Sequence, residues 1–190
     1  MDYVPRCSHI SCSFCFWIVF AACLVLLQTP GQDADNPALA TRAQDLVVVQ
    51  LDHFVEFKSA RFLKVPYTVL YFGAGWCPDC RRFSPALVAA YDRQSPTDRR
   101  FEVIFISKDK SEESMLKFMR SEKMKWPALA FNKITSATNL TRLYSGHGIP
   151  CLTVIHQTGA QVLQSKSDQD ATEVLDQLLR LIRDNQSTGR

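Results

Sequence analysis

No second Cys-x-x-Cys follows Cys80 in this 190-residue chain, and that absence excludes more than any composition figure. A structural zinc site needs four ligands, normally two pairs. Beyond Cys77 and Cys80 the body of the chain offers only Cys151, and His147 and His156 lack ligand-pair spacing. No metal is therefore expected, and no motif calls for an organic cofactor. Seven cysteines are present, but Cys7, Cys12, Cys15 and Cys23 lie in or beside an N-terminal apolar segment. The remaining three make no stapling pattern, so the core must form without structural disulfides. Basic blocks and aromatic-basic alternation are also absent from a net charge of +3, which leaves nothing to argue for nucleic acid. There is no internal repeat and no low-complexity tract.

What is present is ordinary globular material, 46% apolar and 22% charged, with room for one core. The exception is Phe-Cys-Phe-Trp-Ile-Val-Phe-Ala-Ala-Cys-Leu-Val-Leu-Leu at 14–27, uninterrupted apolar sequence with a weaker lead-in from Ile10. Its length suits a signal-peptide core or, with residues 10–27, a membrane anchor. Arg6 precedes it and Asp33 and Asp35 follow, so the positive-inside rule expects the rest of the chain to lie outside the cytoplasm. Residues 28–45, with Pro30, Gly31 and Pro37, read as a linker. Residues 46–185 form the folded domain, and 186–190 a tail.

Within that domain, residues 46–51, 53–57, 67–72 and 101–106 have strand composition; the last two are apolar enough to be covered on both faces. A helix is expected from Cys77 to Asp92, with Phe83, Leu87, Ala90 and Tyr91 on one face and Pro85 kinking it. A second helix opens at Asp109 or Ser111, with Glu112 and Glu113 in its first turn. Residues 126–131 are too short and proline-broken for a helix, and a short helix falls near 140–144. Residues 151–155 and 161–164 flank a hairpin turn. Asp170-x-x-Glu173 caps a last helix whose stripe is Val174, Leu175, Leu178, Leu181 and Ile182. The pattern predicts one α/β domain with a mixed sheet.

Trp76-Cys77-Pro78-Asp79-Cys80 is the chemical centre of the chain. A strand leads into it through Gly73-Ala-Gly75, and a helix leaves from it. Amide N–H groups and the positive helix end stabilise the Cys77 thiolate, the reactive species of dithiol chemistry. Two intervening residues let Cys80 reach Cys77 and resolve a mixed disulfide. Cys151 is expected as a small core residue; the alternative is a third redox thiol close to the pair. Asn139-Leu-Thr141 and Asn185-Gln-Ser187 match the glycosylation pattern, which matters only on a eukaryotic secretory route.

Several strings together resemble the thioredoxin superfamily over 46–185, and within it the tryparedoxin and nucleoredoxin branch. They are Tyr71-Phe-Gly-Ala-Gly-Trp-Cys77, Pro85 five residues after Cys80, Phe101-Glu-Val-Ile-Phe-Ile-Ser107, Trp126-Pro-Ala-Leu-Ala-Phe131 and Gly148-Ile-Pro150. The resemblance implies a central mixed β-sheet flanked by helices, a thiol–disulfide oxidoreductase, and a monomer. It makes Cys77 the attacking cysteine and Cys80 the resolving one. Ile149 and Pro150 match the cis-proline loop that faces the disulfide and pairs with the partner chain, and Trp76 the aromatic that shields the reacting sulfurs. Pro78, Asp79 and Tyr71 are the positions expected to modulate the site, with Asp79 alternatively a solvated loop acid. Tyr71 stands where many thioredoxins carry a buried acid, and a phenol is a poor base near neutral pH. Asp79 departs from the branch's proline; its carboxylate disfavours the thiolate, whereas Arg81 and Arg82 oppose that effect. The implied partners are disulfide-containing or dithiol proteins. The rival reading is a nucleoredoxin-like binding scaffold, and a peroxidase ranks last because its threonine–arginine pattern is missing.

Overall fold

A computed structural model describes residues 43–58, 64–166 and 170–187 of the chain. The apolar segment at 14–27, the sites expected of it and nearly all of the linker lie outside the described residues. Among the described residues no helix is long and apolar enough to cross a membrane. Seven strands form one sheet: β1 (Leu46–Gln50), β2 (His53–Glu56), β3 (Tyr67–Gly73), β4 (Phe101–Ser107), β5 (Ala128–Leu129), β6 (Cys151–His156) and β7 (Gln161–Gln164), in the spatial order β2-β1-β5-β4-β3-β6-β7. β3 pairs in parallel with β4 and antiparallel with β6, so the sheet is mixed, as the order of strands and helices predicts. The two central strands, β3 and β4, are buried at every position. A strand covered on both faces needs no polar alternation, which is why both read as apolar runs.

Among the described residues four helices accompany the sheet: α1 (Pro78–Asp92), α2 (Glu112–Ser121), α3 (Thr138–Thr141) and α4 (Ala171–Ser187). Side chains alternate across the sheet and divide the core into two layers. In the first, Val69, Tyr71, Val103, Phe105, Leu152 and Val154 meet the apolar faces of α1, α2 and α4. In the second, Leu70, Phe72, Ile104, Ile106, Cys151 and Ile155 pack with Leu140 of α3. The predicted stripe of α1 is buried as expected, and it extends one turn further back through Ser84 to Cys80. In the last helix Val174, Leu175 and Leu178 are buried, and the Asp170 carboxylate accepts from the Glu173 amide at 2.9 Å.

Some boundaries differ from the sequence reading. Ala43–Asp45, assigned to the linker, is a 3-10 turn whose Asp45 carbonyl accepts from the Ala130 amide at 2.9 Å. β1 stops at Gln50 because Leu51 enters the left-handed region at φ 55°, leaving its side chain exposed. β5 is a two-residue strand that the sequence reading did not resolve; Pro127 beside it limits the ladder, but Ala128 still pairs with both Phe105 and Val47. α4 runs to Ser187, two residues into the expected tail.

Candidate active site

β3 ends at Gly73, and three residues later the chain turns into α1. Cys77 is the N-cap of that helix, with extended backbone (φ −86°, ψ 115°), and its sulfur accepts the Cys80 amide hydrogen at 3.2 Å. A cap usually carries a hydroxyl or carboxylate oxygen for the orphan amides; here a sulfur occupies that position. Pro78 follows at the first helical position, where a missing N–H costs nothing. Both thiols are free and buried, Cys77 with 4% of its surface exposed and Cys80 with none.

The loop before β6 closes over this helix end. The Ile149–Pro150 bond is cis, and the Cys77 thiol donates to the Ile149 carbonyl at 3.4 Å. The site therefore brings together Cys77, Cys80, Ile149 and Pro150 from opposite halves of the domain sequence. A shallow groove of about 510 Å³ runs past Cys77, lined by Trp76, Lys108, Tyr144 and Ile149 among others. Trp76 is 57% exposed, and its indole N–H donates to the Lys108 carbonyl at 3.1 Å.

Tyr71 lies beneath the pair. Ser84 gives its hydroxyl hydrogen to the Cys80 carbonyl at 2.8 Å, which leaves the Tyr71 hydroxyl to donate to Ser84 across 3.0 Å. Burial, reinforced by the Cys80 thiol nearby, pushes the Tyr71 phenol far above its ordinary range. Burial also pushes the Cys80 thiol up, and the neighbouring Cys77 adds to the effect. Asp79 is exposed and pairs with Arg82 one turn on, so the arginine answers its carboxylate directly. Arg81, the other cation set against Asp79, instead donates its Nε–H to the Gly75 carbonyl at 2.6 Å.

Several contributors escaped the sequence reading. Asp109, considered as a helix cap, instead accepts from the Gly75 amide at 2.9 Å and from the Ser107 hydroxyl at 2.8 Å. The cap of α2 is Ser111, which accepts from the Ser114 amide at 3.2 Å. Gly75 is a close-approach glycine: a Cβ there would lie 2.9 Å from the Phe118 Cβ. Ser84, Lys108 and Tyr144 carried no local signal, because only the fold brings them to the pair.

Cys151 lies elsewhere. It is buried in the second layer with Phe72 and Ile106, on the face of the sheet opposite Cys77 and Cys80, and its sulfur is 3.4 Å from the Ser145 hydroxyl. The chain does bring its backbone near the pair, but the sheet separates the side chains. Asn185 also has a packing role: its amide donates to the Tyr67 hydroxyl at 2.9 Å. Among the described residues no three His, Cys, Asp or Glu side chains gather as a metal site.

A cysteine-capped helix facing a cis-proline loop, on a mixed sheet of this order, defines a dithiol-bearing α/β domain. Residues 66–161 match the family model described as thioredoxin-like, and the chain belongs to that family. Within it the likeness runs to nucleoredoxins and tryparedoxins. The chain is 35% identical to nucleoredoxin of Danio rerio over 100 residues, which is 53% of this chain and 23% of that protein. It is 41% identical to probable nucleoredoxin 2 of Oryza sativa subsp. japonica over 93 residues, 49% of this chain and 23% of that one. The match thus spans about a quarter of the length of these relatives. Tryparedoxin from Trypanosoma brucei superposes with a TM-score of 0.52 at 30% identity, covering 67% of this chain and 86% of that structure. Thioredoxin from Wuchereria bancrofti gives 0.53 at 27%, covering 73% and 97%.

Proposed function

We infer that the domain is a thiol–disulfide oxidoreductase acting on disulfides of partner proteins. One observation carries the reading: the Cys77 sulfur caps α1, accepts the Cys80 amide and faces the Ile149 carbonyl at the floor of an open groove. Cys77, at the helix N-terminus and beside that amide, is the sulfur a partner can reach. Its thiolate attacks one sulfur of a partner disulfide, forming a mixed disulfide and expelling the partner's other sulfur as thiolate. Cys80 then attacks the Cys77 sulfur, closing the Cys77–Cys80 disulfide and releasing the second partner sulfur. Two electrons pass to the partner, and the proton from Cys80 ends on the released sulfur.

Burial favours the neutral form of the Cys80 thiol and keeps it out of contact with solvent. Tyr71 holds its own proton too tightly to serve as the base. The Cys80 proton therefore passes to the departing partner sulfur rather than through the phenol.

Single-cysteine variants test the assignment. Cys77→Ser lowers insulin disulfide reduction to the uncatalysed rate, whereas Cys80→Ser accumulates mixed disulfides on Cys77 that mass spectrometry detects. Equal and partial losses in both variants would remove the assigned division of roles.

A further inference from the structure

On the Trp76 side of the reactive sulfur, the surface is lined by Arg81, Lys108, Lys110 and Lys117 against Asp79, Asp109 and Glu122. Lys108 is held in place through its backbone: its amide donates to the Gly73 carbonyl at 2.8 Å, and its carbonyl accepts the Trp76 indole hydrogen. Its ammonium stands 4.3 Å from the centre of the Tyr144 ring, inside the groove that holds Cys77. On the other side of Trp76 a second groove, about 850 Å³, is lined by Arg81, Lys110 and Lys117 over the side chain of Phe118. Two carboxylates border that groove. Asp109 is engaged by Gly75 and Ser107, and Glu122 approaches the Ser121 hydroxyl at 3.5 Å. Asp79, the acid of the Cys77 groove, is paired with Arg82. Among the described residues no carboxylate pairs with Lys108, Lys110 or Lys117.

We propose that this face, two grooves that share Trp76, selects protein partners whose reactive cysteine is flanked by acidic residues, with Lys108 and Lys117 as specificity-determining positions. The inference rests on the oxidoreductase reading for its chemistry, but the surface itself is an electrostatic claim. An aromatic side chain shared by two lysine-bearing grooves suits an extended chain that lays its cysteine at Cys77 and its carboxylates against Lys108 and Lys117. Charges at such a rim mainly set association rate and partner choice.

The test uses the full chain and two synthetic peptides, each closed by one disulfide and alike except for Asp and Glu or Lys and Arg around the cysteines. Reduction kinetics give kcat/KM, and anisotropy of labelled peptides gives Kd. At low ionic strength the acidic peptide is expected to be preferred about tenfold in both, from two or three exposed ion pairs. Salt near 1 M should erase the preference, since the screening length then falls to roughly 3 Å. The double variant K108E/K117E should abolish or invert it, and K108R should preserve it. Comparing two peptides on the same protein cancels any effect of the substitution on the thiol. Equal Kd values for the two peptides, or a preference that survives K108E/K117E, would overturn the proposal. A Kd preference with neither peptide reduced would support the surface and retire the oxidoreductase reading instead.

Discussion

At the scale of single residues, the site is governed by which groups lose contact with water. Cys77 and Cys80 are three positions apart on one helix, yet Cys77 borders a groove while Cys80 is sealed beneath it. The same burial that keeps Cys80 protonated also silences Tyr71 as a base. Tyr71→Phe tests this. The substitution removes one buried hydrogen bond, to Ser84, and should cost about 1 kcal/mol of stability. The pH profile of disulfide reduction should keep its shape, because the phenol moves no proton. A profile that loses an alkaline limb in the variant would assign Tyr71 a catalytic proton after all. The Ser84 bond to the Cys80 carbonyl survives the change, so the cysteine itself stays in place.

Elements set the reach of those residues. α1 begins at a proline after an N-cap sulfur, and the preceding turn is held by the loop and helix that follow β4: Asp109 of the loop clamps the Gly75 amide, and Phe118 of α2 leaves no space for a Cβ at that glycine. The Trp76 indole is then fixed on the Lys108 carbonyl. Asp109→Ala frees the Gly75 amide and the Ser107 hydroxyl at once. Leaving part-buried groups unpaired should cost about 1–3 kcal/mol, read as a lower Tm. Because the loop presenting Trp76 loosens, KM for a disulfide substrate should rise more than kcat falls. Asp109→Asn keeps an acceptor for Gly75 and should recover most of both. A loss confined to Tm, with KM unchanged, would show that the clamp serves folding alone.

At the scale of the whole molecule, the end of the sheet remote from the cysteines holds a buried acid. Glu102 lies at the start of β4, only 6% exposed; its carboxylate accepts from the Val103 amide at 2.9 Å. Burial raises its pKa despite opposition from the Tyr91 hydroxyl, that amide and Arg99. The unfolded chain then releases this proton at lower pH than the folded one. Glu102 therefore favours the folded state fully below its unfolded pKa, and that contribution is lost as pH rises through the folded value. Glu102→Gln should flatten the pH dependence of Tm over this window and leave Tm near neutral pH equal to or above that of the parent. A steeper decline in the variant would mean that the ionised carboxylate stabilises the fold.

Local chemistry determined a large part of this protein. Apolar runs marked β3 and β4, a stripe of Phe83, Leu87, Ala90 and Tyr91 marked α1, and Cys-x-x-Cys at a strand-to-helix junction marked the site, because period and capping are short-range properties. The two-residue β5 stayed hidden, since it exists only through its pairing with Phe105 and Val47. Asp109 read as a cap because its sequence context is that of one; its partner Gly75 lies 34 positions away, and only the packing of the loop that follows β4 brings them together. Cys151 could have faced either layer until the pairing with Phe72 set its side of the sheet. Lys108 and Tyr144 likewise met Cys77 only when β4, the cis-proline loop and α1 converged. Sequence determined which segments fold and which sulfurs stand at the strand-to-helix junction. Tertiary structure decided which groups are dry and which charges face a partner, because burial and electrostatic environment are sums over neighbours distant in the chain.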